Sequence, residues 1–115
     1  MSYILIHNPN CSTSRKGLDL LTEAGITPDV RKYMNASERL SVEELKDIAK
    51  KMGGVSPRAF LRAKDAPAAG IDAASSDEAI FEAMAENPKL IQRPIGIKGR
   101  KAVLGRPPED LLKLV

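Results

Sequence analysis

The residues best suited to chemistry fall in one short run, His7-Asn8-Pro9-Asn10-Cys11-Ser12-Thr13-Ser14-Arg15. A thiol is a nucleophile only as its thiolate, and a helix N-terminus favours thiolate because unpaired backbone N–H groups and the helix dipole stabilise negative charge. Asn8-Pro9-Asn10 is a turn signal, and Ser12, Thr13 and Ser14 are all residue types that cap helices. The order therefore puts Cys11 at the start of a helix. The same N–H groups can receive an oxyanion, so this one loop could both activate a sulfur and hold its substrate. A small buried apolar cysteine is the alternative, and the polar, turn-forming neighbours are poor company for it. His7, the only histidine, can act electrostatically on Cys11 or order the loop through a hydrogen bond.

Cys11 is also the only cysteine. That excludes an intramolecular disulfide, a C-x-x-C couple and any multi-thiolate zinc or iron–sulfur site within one subunit, and no metal is expected. If Cys11 does redox chemistry, a second thiol must come from another molecule. Three arginines stand apart by position. Arg62 is placed on a short apolar helix, while Arg93 and Arg106 each precede a proline where a strand ends or a helix begins. Spacing makes them candidates to converge on an anion, against the ordinary reading of arginine as a surface solubiliser.

The elements that must position these residues can be read in order. Tyr3-Ile4-Leu5-Ile6-His7 is a short apolar, β-prone run, and the helix after Cys11 carries Leu18, Leu21 and Ala24 as its expected inward face before Gly25 stops it. Val30-Arg31-Lys32-Tyr33 follows as a second strand, so residues 3–33 are expected to form a right-handed βαβ unit. Ser41-Val42-Glu43-Glu44 is a capping box ahead of Leu45, Ile48, Ala49 and Met52. Ser56-Pro57 opens the short helix through Arg62, and Ser75-Ser76-Asp77-Glu78 starts another with Ile80, Phe81 and Met84 inward. These helices read as an insertion at about 38–88. Leu90-Ile91-Gln92 and Ile95-Gly96-Ile97 then have strand character, Lys98-Gly99-Arg100 reads as a hairpin turn before Lys101–Leu104, and a terminal helix is expected to turn Leu111, Leu112 and Val115 inward. The sum is one α/β domain, βαβ, helices, ββα, over residues 1–115 with a mixed central sheet.

Composition agrees with this and narrows the partners. The chain has 115 residues, 43% hydrophobic and 29% charged, with two Tyr, two Phe and no Trp, so an aliphatic core must serve a single domain. No apolar run approaches the roughly 20 residues that span a bilayer, and the start lacks a signal peptide's pattern, which leads to the expectation of a cytoplasmic protein without membrane contact. The formal net charge of +3 is scattered and lacks interleaved aromatics, which suits a small anion better than nucleic acid.

The segment from His7 to Arg15 resembles the H-N-P-x-C-x-x-S-R signature of the glutaredoxin-dependent arsenate reductases. Phe60-Leu61-Arg62, Arg93-Pro94-Ile95 and Gly105-Arg106-Pro107 are similar, in order, to the contexts of that family's three oxyanion-binding arginines. The similarity runs over nearly the whole chain. It implies a thioredoxin-like fold with an inserted helical segment, arsenate as substrate, glutathione as co-substrate with no bound cofactor, and glutaredoxin as partner. It further implies that Cys11 attacks arsenate, that His7 and Ser14 favour its thiolate, that Arg62, Arg93 and Arg106 bind the oxyanion, and that Pro94 is the cis-proline facing the cysteine. The chain resembles the shorter branch, without the C-terminal extension of longer members. Ser14 stands where the related transcription regulators carry the second cysteine of C-x-x-C, so that switch is missing. Two alternatives remain open: a monothiol oxidoreductase acting on glutathione mixed disulfides, for which Cys11-Ser12-Thr13-Ser14 has the C-x-x-S form, and a non-catalytic regulatory protein of the same fold.

Overall fold

The computed structural model describes residues 2–115. Strand β1 (Tyr3–Ile6) leads through the Cys11 loop into helix α1 (Ser12–Glu23) and back to β2 (Asp29–Arg31), which pairs parallel to β1 with Leu5 opposite Val30. Gly25 ends the helix at φ 82°, a left-handed conformation that costs glycine nothing. Helices α2 (Val42–Lys51) and α3 (Asp77–Glu86) follow, and then the hairpin β3 (Ile95–Lys98) and β4 (Lys101–Leu104). The four strands lie in the order β2-β1-β3-β4, with β1–β3 and β3–β4 antiparallel, so the sheet is mixed. Gly99 takes the first position of the two-residue hairpin turn at φ 61°, as a type II′ turn requires.

Strand alternation divides the core between the two faces of the sheet. Tyr3 and Leu5 meet Leu21 of α1 and Leu111 of the terminal turn on one face. Ile6, Ile95 and Ile97 meet Leu45, Ile48, Phe60, Ile80 and Met84 of the helical segment on the other. Helix α2 starts where its local code says: Ser41 Oγ accepts from Glu44 N–H at 3.1 Å and Glu44 Oε1 accepts from Ser41 N–H at 3.1 Å, a complete capping box.

Four expectations are corrected. Leu90-Ile91-Gln92 does not form a strand: Pro88–Leu90 is a 3-10 turn, and only a single bridge joins Leu61 to Ile91. Pro88 sets the turn's φ and Asn87 Oδ1 accepts from Lys89 N–H, so local chemistry overrides the apolar run. Arg62 is not on a helix either, because the 3-10 turn Pro57–Phe60 ends before it and its N–H donates to Leu90 O at 2.7 Å. The inward stripe of α1 is Ser14, Gly17 and Leu21, with Ala24 exposed. Finally, the terminal element is a 3-10 helix, Pro108–Leu114, that buries Leu111 completely and leaves Val115 55% exposed.

Close packing beneath the site depends on missing side chains. A Cβ at Gly105 would lie 2.8 Å from both Leu111 Cγ and Pro94 Cγ, and one at Gly17 would lie 2.6 Å from Leu111 Cδ1. Leu111 is itself completely buried. Gly105→Ala is accordingly expected to lower stability by about 1–3 kcal/mol in urea unfolding, the usual cost of overpacking. An unchanged midpoint would show that this contact can relax.

Candidate active site

The loop between β1 and α1 is built by short-range hydrogen bonds. Cys11 N–H donates to Asn8 O at 3.0 Å, closing a turn with Pro9 at its second position, and Asn10 N–H donates to Asn8 Oδ1 at 3.0 Å. His7 N–H donates to Arg31 O at 2.9 Å, which extends the β1–β2 ladder to the loop's first residue. Ser14 Oγ accepts from Asn8 N–H at 3.1 Å and lies 2.8 Å from His7 Nδ1. His7, Asn8 and Ser14 are all buried, so this triad fixes the loop from below. Cys11 itself, not one of the serines after it, is the N-cap residue of α1, and it is half-buried.

Electrostatics at the sulfur follow from that placement. Burial pushes the Cys11 thiol up, but the N–H groups of Ser14 and Thr13 and the Arg93 guanidinium outweigh it and bring the thiol below its ordinary value. His7 moves the other way: burial first, then the charges of Lys32 and Arg15, lower its pKa, so it is neutral at pH 7. A neutral His7 hydrogen-bonded to Ser14 orders the loop and adds no positive charge beside the sulfur.

Two of the three arginines, Arg93 and Arg106, act on the thiol from later connections. Arg106 Nη2 lies 3.8 Å from Cys11 Sγ, and Arg106 Nε donates to Arg93 O at 2.9 Å. Arg93 is 6% exposed, its Nη1 donates to Ile91 O and Lys89 O at 3.1 and 3.3 Å, and its buried Nε has no partner. No carboxylate pairs with Arg93 among the described residues. Arg62 is held differently, with Nε 3.5 Å from Asp65 Oδ2. Its charge nevertheless reaches the Tyr33 hydroxyl, as do those of Arg93 and Cys11. The Arg93–Pro94 bond is cis, and so is Arg106–Pro107, which no sequence expectation covered. Sequence reasoning also passed over Tyr33, taking it as part of a strand. Its completely buried hydroxyl donates to Ile91 O at 3.4 Å, and nothing local in the sequence shows that contact.

The arrangement joins a thiol shifted toward thiolate to a buried guanidinium that has no carboxylate partner and one unpartnered N–H, a combination with the chemistry to receive a tetrahedral oxyanion next to a nucleophile. Ultraviolet titration of the single thiol should therefore give a midpoint below that of free cysteine, about 8.5. Saturating sulfate should raise that midpoint, because a bound anion cancels the positive potential that favours thiolate. At any pH below the free-cysteine value the folded protein then carries more thiolate than an unfolded chain. A midpoint at or above 8.5 that ignores sulfate would exclude an electropositive site at Cys11.

Comparison with known proteins adds the following. The sequence matches the ArsC family over residues 6–114. It is 42% identical over 118 aligned positions to an arsenate reductase of Haemophilus influenzae, covering 100% of both chains, and 43% identical over 110 to an arsenate reductase of Neisseria meningitidis serogroup A, covering 93% of this chain and 92% of that one. The solved structure of an arsenate reductase from Vibrio cholerae superimposes with a TM-score of 0.90 at 44% identity, covering 100% of this chain and 98% of the other. The α/β fold is thus the thioredoxin-like fold expected from the sequence.

Proposed function

The chain belongs to the ArsC family, and from that premise we propose that it reduces arsenate to arsenite through a covalent adduct on Cys11. The carrying observation is the pairing of Cys11 with Arg106 at 3.8 Å beside the buried, unpartnered Nε of Arg93. Arsenate seats on Arg93 and Arg106, with Arg62 turning from Asp65 to close the third side. The Cys11 thiolate attacks arsenic(V) and an arsenate oxygen leaves as water after taking up protons, while the guanidiniums neutralise the charge that shifts onto the remaining oxygens. Ser14 and Thr13 hold the thiolate before attack, and His7 keeps their loop in place.

A single cysteine cannot complete the reduction. Two electrons must reach arsenic(V), so two thiols must end as a disulfide. Glutathione adds to the cysteine–arsenic adduct with loss of a second water. A glutaredoxin thiol then takes the glutathione sulfur as a mixed disulfide, leaving its electron pair on arsenic, and water hydrolyses the remaining Cys11–arsenic(III) bond to release arsenite and restore the Cys11 thiol. The donors place this chemistry in a reducing compartment such as the cytoplasm. Arsenate-dependent NADPH oxidation in a mixture of the protein, glutathione, glutaredoxin and glutathione reductase tests the proposal. Oxidation that requires both arsenate and glutaredoxin supports it, and no arsenate dependence refutes it. Turnover of a glutathionylated peptide without arsenate turnover would instead assign a monothiol oxidoreductase.

A further inference from the structure

Tyr33 follows β2 and is completely buried, with its ring in the core between the sheet and the helical segment. Its hydroxyl donates to Ile91 O at 3.4 Å, and Arg93 Nη1 donates to the same carbonyl at 3.1 Å. The Ile91 carbonyl thus carries two donors, one from the βαβ unit and one from the segment that precedes β3. From Arg93 the connection continues: Arg93 O accepts from Arg106 Nε at 2.9 Å, and Arg106 Nη2 reaches Cys11 Sγ at 3.8 Å. Tyr33 is the buried end of this chain of contacts, and Cys11 is the open end. With Nη1 held by carbonyls, Arg93 Nε is left without a protein acceptor.

We propose that Tyr33 is a positioning residue of the anion site: by sharing the Ile91 carbonyl with Arg93 it sets the orientation in which that guanidinium meets an oxyanion beside Cys11. The assignment rests on the oxyanion site described above. A polar group buried this deeply costs stability unless it is hydrogen-bonded, so a hydroxyl satisfied by a weak, long bond is a poor structural choice where phenylalanine would fit. Its position against Arg93 supplies the reason for it. Arg62, Arg93 and Cys11 all act electrostatically on this hydroxyl, which puts it within the field of the site.

The test is Tyr33→Phe, which keeps the ring and removes only the oxygen. Sulfate affinity, measured by calorimetry, should fall about threefold to tenfold, as expected for one modest hydrogen bond. The Cys11 thiolate midpoint should rise, and the thermal midpoint should stay near that of the wild type. In an Arg93→Ala background the same change should cause no further loss, because Tyr33 acts through Arg93. Unchanged affinity and thiolate midpoint would overturn the proposal, and so would an equal loss with Arg93 already removed. The wild type supplies an independent measurement if the variant folds poorly. With only two tyrosines in the chain, carbon-13 placed only at the ring carbon that bears the hydroxyl gives two signals, and sulfate should move that of Tyr33 and leave that of Tyr3. A Tyr33 signal that ignores saturating sulfate overturns the positioning role alone. Absence of sulfate binding by the wild type overturns the oxyanion site and the proposal with it.

Discussion

Replacing Cys11 with serine is expected to abolish arsenate-dependent turnover, a loss of about a thousandfold or more, with the fold intact. Serine has nearly the same shape, and the position is only half-buried at the N-cap of α1, where serine is itself a favourable cap. What disappears is the anion: a hydroxyl is not ionised near neutral pH, whatever N–H groups and guanidiniums surround it. No second thiol in the chain can take over. Circular dichroism and the thermal midpoint should match the wild type while the coupled NADPH assay falls to its background. Substantial remaining turnover would remove Cys11 from the mechanism.

Arg93 should produce the other large effect, and of an unusual kind. A buried guanidinium without a carboxylate partner is a cost to the fold, since desolvating a charge is repaid only by good pairing. An oxyanion supplies what the protein does not. Sulfate at a hundred times its dissociation constant should therefore stabilise the wild type by about 2.7 kcal/mol, seen as a rise in the thermal midpoint. Arg93→Met, which keeps the length and loses the charge, should abolish that rise and weaken sulfate binding by about tenfold to a hundredfold, while the anion-free variant is at least as stable as the anion-free wild type. Arg106→Ala, at an exposed position, should weaken binding and lower anion-free stability by no more than about 1 kcal/mol, the worth of its hydrogen bond to Arg93 O. Lysine at 93 should restore only part of the affinity, because it lacks the planar fork. A sulfate-induced rise that survives in Arg93→Met would place the anion elsewhere.

These outcomes bear on how much could be read before the fold was known. Features encoded by neighbours in the chain were legible: the βαβ unit, the Ser41–Glu44 capping box, the hairpin around Gly99, and Cys11 at the start of a helix. Each is decided within a few residues by turn chemistry or capping. Features decided by distant packing were not. Leu90-Ile91-Gln92 has the composition of a strand, yet it has only the bridge to Leu61 as a partner, and β-propensity without a neighbouring strand is not a strand. The inward stripe of α1 includes Ser14 and Gly17 because the site loop and Leu111 press on that face, a fact no hydrophobic period contains. The site divides the same way. Cys11, His7 and Ser14 fall within one segment and could be read together, whereas the contacts of Arg106 with Cys11 and of Tyr33 with Ile91 join residues 95 and 58 positions apart. His7 illustrates the remainder: its identity and position were visible, but its neutrality comes from burial and from Lys32, which β2 brings across.

Tyr3 Oη donates to Leu111 O at 2.8 Å across 108 positions of the chain, and Leu111 packs on Gly17, Gly96 and Gly105 around Pro94. During synthesis the thiol loop precedes Arg106 by 95 residues, so the nascent chain carries Cys11 long before that counter-charge exists. Until residues 106–111 have emerged and docked, Cys11 has neither the Arg106 guanidinium nor a completed face of the sheet behind it. Full assembly of the charge around the thiol is thereby tied to docking of that segment, and a chain that has not yet docked it holds a cysteine closer to ordinary reactivity.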